Sequence, residues 1–160
     1  MCECCHRYTQ CCGAISVLFD GTLALISCSK GKSSETRHAR FLYTSQLFKA
    51  VSGYVTGEYR QWVILSAKHG VLNPDETVCP YELSLNSFTR RERMEWSDRT
   101  AEQLLKMNLS SVHIFAGRHY RDYLVPLLEA AGVAVSVPLA GLGIGQQLSW
   151  YKTKRQQTTE

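Results

Sequence analysis

The chain has 160 residues, 44% of them hydrophobic and 20% charged, enough for one hydrophobic core, too few for two, and neither disordered nor fibrous in character. Its longest apolar stretch, Ile15 to Cys28, is interrupted by Asp20, Gly21 and Thr22, so no membrane span is expected. The net charge of +4 sits almost wholly in residues 22–60, where Lys30, Lys32, Arg37, Arg40, Lys49 and Arg60 face two acidic residues; this predicts a local basic site for a phosphate-bearing ligand or nucleic acid rather than a generally basic surface.

Five of the seven cysteines (Cys2, Cys4, Cys5, Cys11 and Cys12) fall in the first twelve residues. Together with His6 they offer soft zinc ligands, but the ligand pairs stand closer than the dozen or so residues usual in structural sites. Residues 1–14 are therefore read as a flexible cysteine-rich head, with no metal or other cofactor assigned, ahead of a single α/β domain over residues 15–156. The head has no cationic segment followed by an uninterrupted apolar run and a cleavage site, so a cytoplasmic setting is expected.

Ile15–Phe19 and Leu23–Cys28 flank Asp20-Gly21, a strong hairpin signal, and the second run is the more apolar, a candidate central strand. Arg40 to Val55 places Leu42, Leu47, Phe48, Val51 and Val55 at helical spacing. Trp62–Ser66 reads as a short buried strand, and Lys68 to Leu85, with Gly70, Pro74 and Pro80, as a structured loop. Thr89 and Glu92 form a capping box for a helix from about Arg90 to Met107, ended at Asn108. Val112–Ala116 is a strand; Tyr120–Ala131 is a helix closed by Gly132, with Pro126 kinking it or marking a later start. Val133–Val137 and Gly145–Arg155 complete the chain as strand and helix. The alternation predicts an α/β fold with a mostly parallel central sheet flanked by helices and an antiparallel N-terminal hairpin strand.

Ligands of such sheets sit at the carboxyl ends of strands. After the first core strand, Ser27, Ser29, Lys30 and Lys32 supply hydroxyls and ammoniums for a phosphate, without the glycine-lysine spacing of a Walker A loop. Cys28 reads either as a small buried hydrophobe or as a thiol activated by the lysines. After the next strand come Ser66, Lys68, His69, Asp75, Glu76, Tyr81 and Glu82, which place a histidine, a lysine and carboxylates for proton transfer within one loop. Arg118 and Arg121, three residues apart, present guanidinium forks after the third strand. Gly141, Gly143 and Gly145 let the backbone approach a ligand at the last helix, where Gln146 and Gln147 can read a base or sugar edge.

Leu65-Ser66, Gly70-Val71-Leu72, Pro74 and Pro80-Tyr81, with Ser27 and Lys30 upstream, resemble the YaaA-type peroxide-stress protein family and a smaller bacterial, archaeal and phage family related to it. Arg40 to Phe48 and Gly141 to Gln147 resemble the smaller family alone. The resemblance implies association with DNA binding and protection from oxidative DNA damage, and a fold similar to nucleic-acid-acting enzymes. The chain departs from the YaaA pattern at Lys68-His69, where that family tends to an apolar-aromatic pair, and is much shorter.

The function expected from these residues is binding of a nucleotide, nucleobase or nucleic acid in a basic cleft, with a glycosidase-like or base-modifying reaction. Lys30, Lys32 and Arg118 would hold phosphate, Ser27 and Ser66 would position it, His69 with Asp75 or Glu82 would move the proton, and Gly143 to Gln146 would hold the far side. The alternative is a protein that sequesters the same ligand without turnover. A third reading centres on thiol or metal chemistry in the head.

Overall fold

A computed structural model describes residues 21–158. The cysteine-rich head and the hairpin strand expected at Ile15–Phe19 lie outside the described residues.

The first strand, β1 (Thr22–Ser27), buries Leu23, Ala24, Leu25 and Ile26 in succession, as a strand covered on both faces must. After β2 (Arg37–His38), α1 (Ala39–Leu42) and α2 (Gln46–Glu58) comes β3 (Gln61–Ser66), parallel to β1 with Leu23 opposite Gln61. A tight turn returns β4 (Gly70–Leu72) antiparallel along β3, and β5 (Thr77–Val78) pairs with β2 in a separate two-stranded sheet. The chain then crosses the sheet through α3 (Arg90–Leu105) to β6 (Ser111–Phe115), which runs parallel to β1 on its other side. Two short helices, α4 (Arg118–Arg121) and α5 (Leu124–Ala130), lead to β7 (Ala134–Ser136), parallel to β6, and α6 (Ile144–Gln157) follows.

The order β4-β3-β1-β6-β7 is the expected mostly parallel sheet. Its antiparallel edge, β4, lies inside the segment read as a loop. Helices α2 and α6 pack together, as do α3 and α5; right-handed crossovers in opposite directions from β1 put these pairs on opposite faces.

Two expected helices are each split. The Arg40–Val55 helix breaks because Tyr43 is extended (φ −87°, ψ 128°) and bridges Lys32 through the backbone. Thr44 N–H donates to the Gly31 carbonyl at 3.0 Å, and Ser45 Oγ accepts the Phe48 N–H at 3.1 Å, capping α2. Bonds to the 29–33 loop and a side-chain cap outcompete a pattern that is helical in spacing. The Tyr120–Ala131 helix starts earlier, at Arg118, and breaks at Asp122–Tyr123; Pro126 lies in the first turn of α5, where its missing N–H removes no helical bond. The capping box stands as expected: Thr89 N–H donates to Glu92 Oε2 at 2.7 Å and Glu92 N–H to Thr89 Oγ1 at 3.3 Å. Asn108, with φ 53°, turns the chain beyond α3.

Candidate ligand groove

The chain leaves β1 toward β3 and later returns past it to β6, so a topological switch point opens between the carboxyl ends of β1 and β6. A cleft of about 310 Å³ occupies it. Ser27, Cys28, Ser29 and Lys30 line it from β1, and Phe115, Ala116 and Gly117 from β6. Phe48 of α2, Tyr120 of α4 and Tyr151 of α6 give it an aromatic wall.

A second cavity, of about 420 Å³, shares Lys30, Leu83, Ser84 and Asn86 with the cleft and adds Lys32 and Glu82. A third, of about 360 Å³, shares Phe115, Ala116, Gly117 and Gln147 and adds Arg118, Arg121, Gly141 and Gly143. The shared walls make one groove along the sheet's carboxyl edge, with lysines at one end, arginines at the other and aromatic side chains between. Arg118 reaches Asp122 at 3.5 Å but is 83% exposed. Arg121 Nε is a buried donor with no hydrogen-bond partner among the described residues.

Cys28 is buried at the groove wall, where its Sγ meets Tyr120 Oη at 3.1 Å. Burial pushes the Tyr120 phenol far above its ordinary value, leaving it neutral and able to donate.

A buried hydrogen-bond chain lies behind Lys32. Tyr43 Oη and Tyr81 Oη share a bond of 2.6 Å, Tyr81 Oη and Ser66 Oγ one of 2.7 Å, and Ser66 Oγ accepts the N–H groups of Lys68 (3.3 Å) and His69 (3.1 Å). Lys32 Nζ stands 4.6 Å from the Tyr81 ring centre, and Lys68 Nζ 5.8 Å, within reach of a cation–π attraction. Burial lifts Tyr43 to about 12 and Tyr81 further. Ser66 and Tyr81 do not line the three cavities; they hold the turn that carries Lys68 and His69.

His69 meets the edge of the Tyr81 ring, with ring centres 5.5 Å apart. Burial first, and then Lys68, holds its pKa below the ordinary 6.5, with Glu76 pulling the other way. The ring is therefore a neutral imidazole at pH 7, the state a general base needs, although neither it nor Lys68 lines the groove.

The acidic candidates separate. Glu82 lines the lysine end. Asp75 does not line the groove: Arg40 holds its carboxylate at 2.7 Å, and its carbonyl contacts the His38 ring. The carboxylate acting on His69 is Glu76. At the far end Gln146 Oε1 accepts the Gly143 N–H at 3.0 Å, closing the first turn of α6, and Gln147 rather than Gln146 or Gly145 lines the groove.

Ser84, Asn86 and Tyr120 were not singled out by sequence as site residues. Ser84 and Asn86 belong to a 3-10 turn, Leu85–Ser87, capped by Ser84, and the polar Ser-Leu-Asn-Ser run carries a turn signal. The Tyr43–Tyr81 pairing spans 38 positions and leaves no local signal.

Residues 23–153 match a family of unknown function, DUF6884. The uncharacterized protein YfjM of Bacillus subtilis (strain 168) is 28% identical over 137 residues, covering 79% of this chain and 89% of YfjM. The recombination protein RecR of Lactobacillus johnsonii is 31% identical over 94 residues, covering 59% of this chain and 43% of RecR. No solved structure matches the chain.

Proposed function

This chain belongs to the DUF6884 family, and we propose that it binds a nucleotide or a nucleic-acid end in the groove at the carboxyl edge of its sheet. The observation that carries the reading is an aromatic-walled cleft at the β1/β6 switch point with cations at both ends. The wall suits a nucleobase face, and Lys30, Lys32, Arg118 and Arg121 suit phosphate oxygens. The resemblance to YaaA-type proteins supports a role with DNA, including its protection under oxidative stress, and so does the partial similarity to a protein named for recombination.

Turnover, in a glycosidase-like or base-modifying step, would draw on Glu82, the carboxylate lining the lysine end, with the neutral His69 imidazole beside that loop. Sequestration without turnover uses the same groove. Among the described residues no group of His, Cys, Asp and Glu could hold a metal ion, and no helix is long and apolar enough to cross a membrane.

The test is thermal unfolding with nucleoside monophosphates, free nucleobases and short DNA and RNA, followed by mass spectrometry of each mixture. A ligand at a hundred times its Kd stabilises the fold by about 2.7 kcal/mol. Lys30→Ala is expected to abolish that shift while leaving the ligand-free Tm in place; an undiminished shift would remove the lysine end from the site. An intact ligand identifies a binding protein. An altered one identifies an enzyme, whose turnover Glu82→Gln should then abolish. Deleting residues 1–14 should change neither result, and loss of ligand response would move the function to the head.

A further inference from the structure

A cavity of about 530 Å³ lies outside the groove, on the face made by α1 and one side of α2. Arg37, Arg40 and Lys49 line it, and among the described residues no carboxylate does. Phe41 stands in its wall, 61% exposed, although its neighbours Ala39 and Leu42 on the same short helix are fully buried. Trp62 and Tyr43 complete the aromatic lining, and the Arg40 guanidinium lies 5.6 Å from the Trp62 ring centre.

The cations keep capacity for a ligand. Glu35 meets Arg37 at 2.9 Å and Asp75 meets Arg40 at 2.7 Å, but these carboxylates are 72% and 74% exposed, so water screens both pairs. Each guanidinium has five N–H donors, and Arg40 Nε is buried with no hydrogen-bond partner among the described residues. Lys49 makes no ion pair among the described residues.

This face joins the lysine end of the groove. Tyr43, part of the cavity wall, bridges Lys32 through the backbone, and its hydroxyl meets Tyr81 beneath the Lys32 ammonium. Tyr43 thus separates Lys30 and Lys32 on the groove side from Arg37, Arg40 and Lys49 on this face, so five of the six cations in residues 22–60 flank one junction.

We infer that the α1–α2 face carries a single-stranded segment of a polynucleotide whose end occupies the groove. This deepens the proposed function and rests on it for the placement of that end. Cations that follow a strand's phosphates beside an exposed aromatic ring on which an unpaired base stacks are what single-strand binding requires. A free mononucleotide has nothing to place on this face. A duplex keeps its base faces covered and gains nothing from Phe41.

The experiment is fluorescence anisotropy with a labelled oligothymidylate of about twelve residues, a length within the span of known single-strand sites. Thymidine monophosphate, a hairpin duplex and polyglutamate serve as competitors. The oligomer is expected to bind at least about tenfold tighter than the monophosphate. Phe41→Ala and Lys49→Glu are each expected to weaken it about fivefold or more, the loss of one stacked base or one phosphate contact. Both side chains are exposed, so Tm and monophosphate affinity should stay unchanged.

Oligomer binding that survives both substitutions overturns the inference, as does a duplex or polyglutamate that competes as well as the single strand. A monophosphate that binds through Lys30 while the oligomer binds no tighter overturns the tract and leaves the groove. Oligomer binding that needs Phe41 but not Lys30 leaves the tract and overturns the groove. If no probe binds, both fall.

Discussion

The Ser66 hydroxyl is fully buried, yet its bonds reach the chemistry at the surface: it joins the Tyr81 phenol and fixes the N–H groups of Lys68 and His69. The turn so held keeps an imidazole against an aromatic edge and beside an ammonium, and both the burial and the charge disfavour the protonated ring. Because the folded-state pKa lies below 6.5, His69 contributes stability that is present above the unfolded value and lost as pH falls through the folded one. An NMR titration of the imidazole should place its midpoint below 6.5, with Lys68→Ala raising it and Glu76→Gln lowering it further. A midpoint at or above the ordinary value would show that neither burial nor the Lys68 charge disfavours the protonated ring in the fold. Lys30, Lys32 and Arg118 were legible as groove residues because each follows a strand end, and Glu82 because it belongs to the loop after β3. The influence of Glu76 on His69 was not, since spacing within a loop cannot say which of two adjacent carboxylates turns toward a ring.

The β3–β4 hairpin is the element on which this corner depends. Gly70 has φ 73°, in the left-handed region, and pairs with Ser66 in the register. Gln103 of α3 clasps the hairpin: its Oε1 accepts the Val71 N–H at 2.9 Å and its Nε2 donates to the His69 carbonyl at 3.3 Å. A methyl group on Gly70 would run into that Gln103 amide. Gly70→Ala should therefore cost about 1–2 kcal/mol for the backbone and about 1 kcal/mol more for the displaced hydrogen bonds, read as a lower urea midpoint with an unchanged slope. Gln103→Ala removes the obstruction, so the double variant should lose less than the sum of the two singles; strict additivity would show that the collision is relieved some other way. The hairpin escaped the sequence reading because three residues beginning with glycine and followed by Asn73-Pro74 carry a turn signal stronger than a strand signal. The split of the Arg40–Val55 helix escaped it for a related reason: the Thr44 N–H bond to the Gly31 carbonyl and the Phe48 N–H bond to Ser45 Oγ override spacing, and only the second of these has a local signature.

At the scale of the molecule, alternation of strands and helices was enough to predict a mostly parallel sheet, but strand order was not in the sequence pattern. That order determines which strand ends meet, and so why Lys30 and Arg118, 88 positions apart in the chain, stand at two ends of one groove. Gly117 tests whether the groove acts as one compartment. It lines both the central cleft and the arginine-end cavity. Its backbone, at φ −66° and ψ 167°, suits any residue, and nothing lies within 4 Å of where a Cβ would stand. Gly117→Trp therefore brings an indole to the junction on a backbone and Cβ position that are free of strain, at a cost expected to stay within about 1 kcal/mol for the altered helix cap. Binding of a nucleoside monophosphate should fall by at least about tenfold, the equivalent of about 1.4 kcal/mol, while the ligand-free Tm stays close to that of the parent. Parental affinity in the folded variant would place the ligand elsewhere. Loss of monophosphate binding with residual oligomer binding would instead show the groove blocked and the α1–α2 face still holding its strand.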